Sequence, residues 1–239
     1  MEKPTQFSES QTQQAYYDGI EKNFWHTARC SIVTSLCSRY RAEPFLEIGA
    51  GRGYMPNAFL EAGWSGTGIE LSSEMTPYKA GLPIRYGTDA FDLEEKQRYI
   101  IRSIGLFDVI EHLPDRVFFL AQLRSYFPNL EYLYITVPAC MSLWTNYDEF
   151  YGHFLSYNPR ILRKELNDAG YEVVKLRHFF HALYIPIWLK ARVGSARTVA
   201  YTSPTGLVAL LHRLIGSYFI WEAAFVPGWV PGLLSRLHR

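Results

Sequence analysis

The chain has 239 residues, 48% of them hydrophobic, and a formal net charge of +1. That composition supplies a sizeable core and excludes a disordered chain, and the length suits one large α/β domain or two small ones. The near-neutral sum hides an asymmetry, because residues 1–174 hold 16 Lys/Arg against 22 Asp/Glu while residues 175–239 hold 8 Lys/Arg against Glu222 alone.

Residues 1–14 are polar and lack the apolar run of a secretory signal. From Tyr16 to Tyr40 the pattern is helical, with Phe24, Ala28, Ile32 and Leu36 spaced by four. A strand-and-helix alternation follows. "EPFLEIG" reads as a buried strand, then a helix runs from about Met55 to Ala62. "SGTGIEL" and "PIRYG" are the second and third strands, with a short helix expected near Ser73–Ala80 and a charged surface helix over Asp92–Tyr99. "GLFDVIEHL" is the fourth strand, 115–127 an amphipathic helix, and "LEYLYITVP" the fifth strand. A helix starts at Asn158 and Pro159 and stops at Gly170, the residue types that favour those two ends. "YEVVKLRHFF" is a sixth strand. The alternation predicts a parallel sheet covered on both faces. The long aromatic and polar interval 138–157 is expected to carry function. Cys30, Cys37 and Cys140 form no C-x-x-C pair and read as reduced core residues.

The most informative stretch is "FLEIGAGRGY", residues 45–54. Gly49, Gly51 and Gly53 fall just past a strand, where glycine admits positive φ and lets the backbone approach a ligand. The helix that follows presents unpaired N–H groups suited to an anionic group. Glu70 ends the second strand 19 residues after Gly51, the spacing at which a carboxylate accepts ribose hydroxyls. A nicotinamide-binding fold would want glycine where Tyr54 stands, and no hydride-transfer pattern follows.

"LEIGAGRGY…GTGIELS" resembles the first two motifs of the class I S-adenosylmethionine-dependent methyltransferases. The resemblance continues through "GTDA" (87–90), "FDVIEHLPD" (107–115) and "ITVPA" (135–139). "GHFLSYNPRILRKELNDAGYEVV" (152–174) is similar to an element of the subgroup related to ubiquinone-biosynthesis O-methyltransferases and glycan- and natural-product-locus methyltransferases. The resemblance implies a doubly wound, mostly parallel Rossmann-like sheet of the seven-stranded methyltransferase type. Residues 1–40 would be a helical lid and 41–180 the cofactor-binding core; 181–239, which match the family only loosely, read from their shift in composition as an apolar, basic helical appendage.

It also implies S-adenosylmethionine as cofactor. Glu47, Gly49, Gly51 and Gly53 would line its methionine part, Glu70 would hold the ribose hydroxyls, Asp89 with Ala90 would meet the adenine, and Ala50 and Leu71 would also contact the cofactor. The usual third-strand G-D-A appears here as G-T-D-A. Glu111 and His112 would lie beneath the cofactor, and Tyr17, Trp25 and Arg29 in the lid would close over it, Arg29 pairing with its carboxylate. The implied reaction is methyl transfer to a small-molecule or lipid- or glycan-linked acceptor, most plausibly at oxygen. A methyltransferase-like module without catalysis, serving binding or assembly at a membrane surface, is the alternative.

A hydroxyl acceptor benefits from a general base, and histidine suits neutral pH. His153, beside Asp148, is the candidate base with Asp148 orienting it, and His112 is the second candidate; each histidine could instead be structural. Asp148, Glu149, His153 and Glu111 offer a possible ligand set for a metal, but sequence does not fix their geometry and no metal is expected.

The segment "GLVALLHRLIGSYFIWEAAF" (206–225) is interrupted by His212, Arg213 and Glu222, so a cytoplasmic chain that does not span a membrane is expected. Leu207, Leu211, Leu214, Tyr218 and Phe225 can share one face. That face reads either as a cover packed on the core or a homodimer contact, which is favoured, or as a peripheral contact with the inner face of the membrane. The basic residues are dispersed, which argues against nucleic acid.

Overall fold

The computed structural model describes residues 8–193, 203–230 and 234–238. Among the described residues seven strands form one sheet: β1 Phe45–Ile48, β2 Gly66–Glu70, β3 Ile84–Tyr86, β4 Ser103–Phe107, β5 Tyr132–Pro138, β6 Lys175–Phe179 and β7 Leu234–His238. Their order is β3-β2-β1-β4-β5-β7-β6. The first five pair in parallel, and β7 runs antiparallel between β5 and β6. The helices are α1 Glu9–Ala15, α2 Phe24–Cys37, α3 Tyr54–Glu61, α4 Glu95–Ile100, α5 Arg116–Tyr126, α6 Asn146–Phe150, α7 Pro159–Asp168, α8 Tyr184–Arg192 and α9 Gly206–Phe225.

The period of two in the central strands sorts the core into two layers. Leu46, Ile48, Ile104, Leu106, Leu133 and Ile135 pack with Leu120 and Leu123 of α5 and Leu162 and Leu166 of α7. The alternate positions Phe45, Phe107 and Tyr134 pack with Phe59, Trp64, Ala28, Ile32 and Val33, so α2 and α3 lie against an aromatic face. Phe45 and Phe59 stack at 4.3 Å. Burying a side chain of this size contributes about 1.5–3 kcal/mol. Glu47 shares its strand face with Phe45, which directs it toward the α2 side, where it is only 3% exposed.

Several expectations are corrected. The single helix over 16–40 is broken: Gly19 has φ +83°, a short 3-10 turn follows, and α2 begins only at Asn23, whose side chain accepts from Trp25 N. No helix forms over Ser73–Ala80. Pro77 has no N–H and biases the residue before it to extended backbone, and the segment is instead held by Tyr78, which donates to Arg52 O at 3.0 Å and stacks on Tyr54 at 4.0 Å. The fourth strand ends at Phe107, so Glu111 and His112 sit on a 3-10 turn beyond it. α7 keeps its predicted limits, with Asn158 Oδ1 accepting from Ile161 N. The tail is more than an appendage, because its last strand enters the sheet beside β5.

Candidate functional site

Strand order reverses between β1 and β4, and the loops leaving their carboxyl ends bound a crevice, the usual ligand site of open α/β sheets. On the β1 side the loop is drawn tight by Gly49 N and Ala50 N, both donating to Ile69 O at 3.0 Å. Gly51 has φ +54° and Gly53 φ +87°, conformations that strain any residue with a Cβ. A Cβ on Gly51 would stand 2.1 Å from the Tyr16 hydroxyl, and one on Gly53 2.1 Å from Ile84 Cδ1. Gly53 caps α3 with no side-chain partner for the helix N–H groups.

Glu70 closes the next strand and is fixed by two backbone donors, Gly51 N at 2.9 Å and Ser72 N at 3.1 Å. Leu71 follows it, half-buried. Opposite Glu70 in the sheet stands Tyr86, whose hydroxyl is buried without a hydrogen-bond partner; burial, then Glu70, pushes its pKa up to about 12. Asp89 caps the following 3-10 turn by accepting from Phe91 N at 3.0 Å, and Ala90 is buried behind it.

On the α2 side, Arg29 forms an ion pair with Asp108 at 2.7 Å and donates to Thr136 Oγ1 at 3.3 Å; Thr136 in turn donates to Asp108 Oδ1 at 2.8 Å. Asp108 holds φ +60°, a conformation uncommon outside glycine, and so aims its carboxylate at Arg29. Burial works against the Arg29 charge, but Asp108 together with Cys30, Glu47 and Tyr16 outweighs it and the guanidinium stays above its ordinary pKa. Arg29 therefore has an internal counter-ion in Asp108, and a cofactor carboxylate pairing with it would share the guanidinium with that partner. Glu47 lies in the same field. Burial, reinforced by Glu70 and Asp108, raises its pKa well above the carboxylate range although Arg29 pulls the other way, and its Oε2 is buried without a partner.

Beyond β4 and β5 a second cluster forms. His153 Nδ1 lies 3.0 Å from Asp148 Oδ1, while Asp148 Oδ2 accepts from Thr145 N at 2.9 Å and Thr145 Oγ1 at 3.3 Å. Phe154 N donates to Glu111 O, which ties this loop to the turn after β4. The His112 and His153 rings are 4.8 Å apart, and burial, then His153, pulls His112 down to about 4. Glu111 is fully buried, neither of its carboxylate oxygens has a hydrogen-bond partner, and burial, then Asp108, raises it well above the usual range. One ligand atom from each of Glu111, His112 and His153 falls within 4.8 Å of the others, a spacing that can hold a divalent ion. This set differs from the one suggested by sequence: Asp148 stands behind His153, and Glu149 is exposed.

The N-terminal segment crosses both clusters. Gln11 Nε2 donates to Phe150 O at 2.6 Å, next to the His153 loop, and Arg52 of the glycine loop donates to Tyr16 O at 3.1 Å. The Tyr16 hydroxyl stands over Gly51, and burial, Glu70 and Glu47 raise its pKa. Tyr17, named from sequence, instead accepts from Asn23 Nδ2 at 2.9 Å at the start of α2. Trp25 stacks on Phe180 at 4.1 Å within the aromatic core layer rather than over the glycine loop. Tyr16 and Asp108 are the site residues that sequence reasoning missed.

The sequence profile described as a methyltransferase domain matches residues 24–176, more than half of the chain. No curated protein matches it. Among solved structures, a possible histamine N-methyltransferase from Thermotoga maritima is similar at 15% identity and TM-score 0.57, covering 95% of this chain and 96% of its own. The plantazolicin methyltransferase BpumL, solved with S-adenosylhomocysteine, is 16% identical at TM-score 0.54, with 95% and 92% covered. A methyltransferase from Archaeoglobus fulgidus is 17% identical at TM-score 0.52, with 90% and 96% covered. At these identities the likeness speaks to fold.

Proposed function

The chain belongs to the methyltransferase domain family, and from that premise we propose that it transfers a methyl group from S-adenosylmethionine to a hydroxyl of a small-molecule or lipid- or glycan-linked acceptor, with His153 as the base. S-adenosylmethionine supplies an activated methyl group on a positively charged sulfur. The crevice suits it. Gly49, Gly51 and Gly53 keep the loop backbone free of Cβ atoms, with Val109, Tyr16 and Ile84 packed where they would stand, the start of α3 offers N–H groups to an anionic end, and Glu47 Oε2 is a buried acceptor without a partner. Glu70, held by two backbone donors, is pre-set to receive ribose hydroxyls, with Leu71, Asp89 and Ala90 toward the base.

The single observation that carries oxygen as the acceptor atom is the His153–Asp148 pair beside this crevice. Asp148 is anchored by Thr145 and fixes the imidazole through Nδ1, so Nε2 is the nitrogen placed to take a proton from a hydroxyl. His112, kept neutral by its depressed pKa, adds no positive charge beside that nitrogen.

A second reading of the same pocket is favoured by the Glu111, His112 and His153 grouping. A divalent ion there would polarise the acceptor hydroxyl. Asp148 would brace His153 and the Tyr151 backbone would brace His112, the outer partners that ligating histidines require. Cytoplasmic residence and membership of the ubiquinone-type O-methyltransferase subgroup accord with these readings and belong to the proposal.

Calorimetry with S-adenosylmethionine and S-adenosylhomocysteine tests the donor half; absence of heat for both would support a silent module. Mass spectrometry of co-purifying ligands identifies the acceptor, and recovery of an amine methylated on nitrogen would overturn the oxygen assignment. Elemental analysis of the purified protein separates the metal-assisted reading from the metal-free one.

A further inference from the structure

Helix α9 has two faces of opposite character. One is fastened to the fold. Phe219 stacks on Phe24 of α2 at 5.8 Å, and His212 Nδ1 accepts from Phe24 N at 3.2 Å. Glu222, 2% exposed, accepts from His181 N at 2.9 Å and Ala182 N at 2.7 Å, and Arg177 donates to the carbonyls of Ala223 and Val226. The other face carries Leu207, Leu211, Leu214, Tyr218, Trp221 and Phe225 at helical spacing, all exposed, with Leu207 at 84% and Phe225 at 69%. Trp229 just beyond the helix is 81% exposed, and α8 with the residue that caps it adds Ile185, Leu189 and Val193. The two stripes are tied together, since Glu222 holds the turn from which α8 starts.

A cover for an internal acceptor pocket would have buried this apolar stripe, and it is exposed. By length and composition α9 could cross a bilayer, but spanning would strip Glu222, His212 and the helix carbonyls of the partners they have in the fold. Charge selects the occupant. Lys190, Arg192 and Arg213 are exposed around the stripes, and the sole acid of residues 175–239, Glu222, is buried. A second copy would bring one basic face against another.

We propose that the α8–α9 face is a docking surface for an anionic lipid bilayer, with α9 lying in the membrane plane. The apolar stripe enters the headgroup boundary, Tyr218, Trp221 and Trp229 sit at the depth aromatic rings prefer, and the cations meet lipid phosphates. This is independent of the acceptor and of methyl transfer.

The test is co-sedimentation of the full chain with vesicles of phosphatidylcholine alone or of phosphatidylcholine and phosphatidylglycerol in equal parts. The wild type is expected to pellet with the anionic vesicles and to be released as salt rises. L214E/W221E should weaken that partition roughly tenfold or more, and K190E/R213E should abolish the preference for anionic over neutral vesicles. Both variants alter exposed side chains and should keep the wild-type circular dichroism and S-adenosylmethionine heat. A wild type that stays in the supernatant with anionic vesicles overturns the proposal, as does a dimer in light scattering that L214E/W221E dissociates without any vesicle binding. Vesicle binding without cofactor heat would count against the methyltransferase reading alone.

Discussion

Replacing Glu111 by Gln isolates the electrostatics of the crevice. The Glu111 carboxyl is fully buried with no hydrogen-bond partner for either oxygen, and burial, then Asp108, raises its pKa well above the ordinary 4.5. A group whose folded pKa is raised contributes stability that is complete below its unfolded pKa and is lost as pH climbs toward the folded value. With one proton of difference, the loss is about 1.4 kcal/mol per pH unit. In a chain of this size that corresponds to roughly 3–6 °C in Tm per unit. The Glu111→Gln variant keeps the shape and lacks the titration. Its Tm should match the wild type near the ordinary carboxylate pKa and pull ahead steadily above it, up to a plateau at the folded pKa. His26 and His112, depressed to about 3 and about 4, make the fold lose stability as pH falls below their ordinary 6.5, but they are common to both proteins and cancel in the difference. Differential scanning calorimetry of chelator-treated protein across this range reads the gap. Parallel curves, or a variant that is less stable at every pH, would show that Glu111 is ionised and paired, and the reasoning would fail.

Gly51→Val places a Cβ where the Tyr16 hydroxyl stands and forces a β-branched residue to φ +54°, so S-adenosylmethionine binding by calorimetry should fall at least about a hundredfold; unchanged affinity would show that the loop does not touch the cofactor. Arg29→Met leaves Asp108 without its counter-ion and should destabilise by roughly 1–3 kcal/mol in urea titration, less than a fully buried pair because the Asp108 side chain is 35% exposed. His153→Ala should cut turnover on the co-purifying acceptor by about a hundred- to ten-thousand-fold while the cofactor Kd stays within about twofold; near-normal turnover would dispose of the base assignment.

What the sequence disclosed follows from the range of the forces involved. The glycine loop, the capped limits of α7 and the strand–helix alternation are local patterns, and they place β1, β2, β3, β5, β6, α3, α5 and α7 within a few residues of their positions. The His153–Asp148 contact was also within reach, because five residues separate the partners. Asp108 carried no such mark, since its role depends on Arg29 arriving from α2 and Thr136 from β5. Tyr16 and Tyr17 are adjacent and alike in type, and only their contacts in the fold, Tyr16 at Gly51 and Tyr17 at Asn23, tell them apart. Val109 and Ile110 extend the apolar run of the fourth strand in the sequence, whereas the left-handed residue Asp108 ends it at Phe107 in the fold. β7 has a sequence with no strand alternation of note and exists by pairing with β5 and β6.

The N-terminal segment behaves as a strap with two buckles, Gln11 fastened near the His153 loop and Tyr16 resting on the glycine loop. Opening at one end without disturbing the other is difficult for a piece of chain this short. On the proposed function both substrates would enter beneath this strap, and initial-rate kinetics should then show a compulsory order of addition instead of random entry.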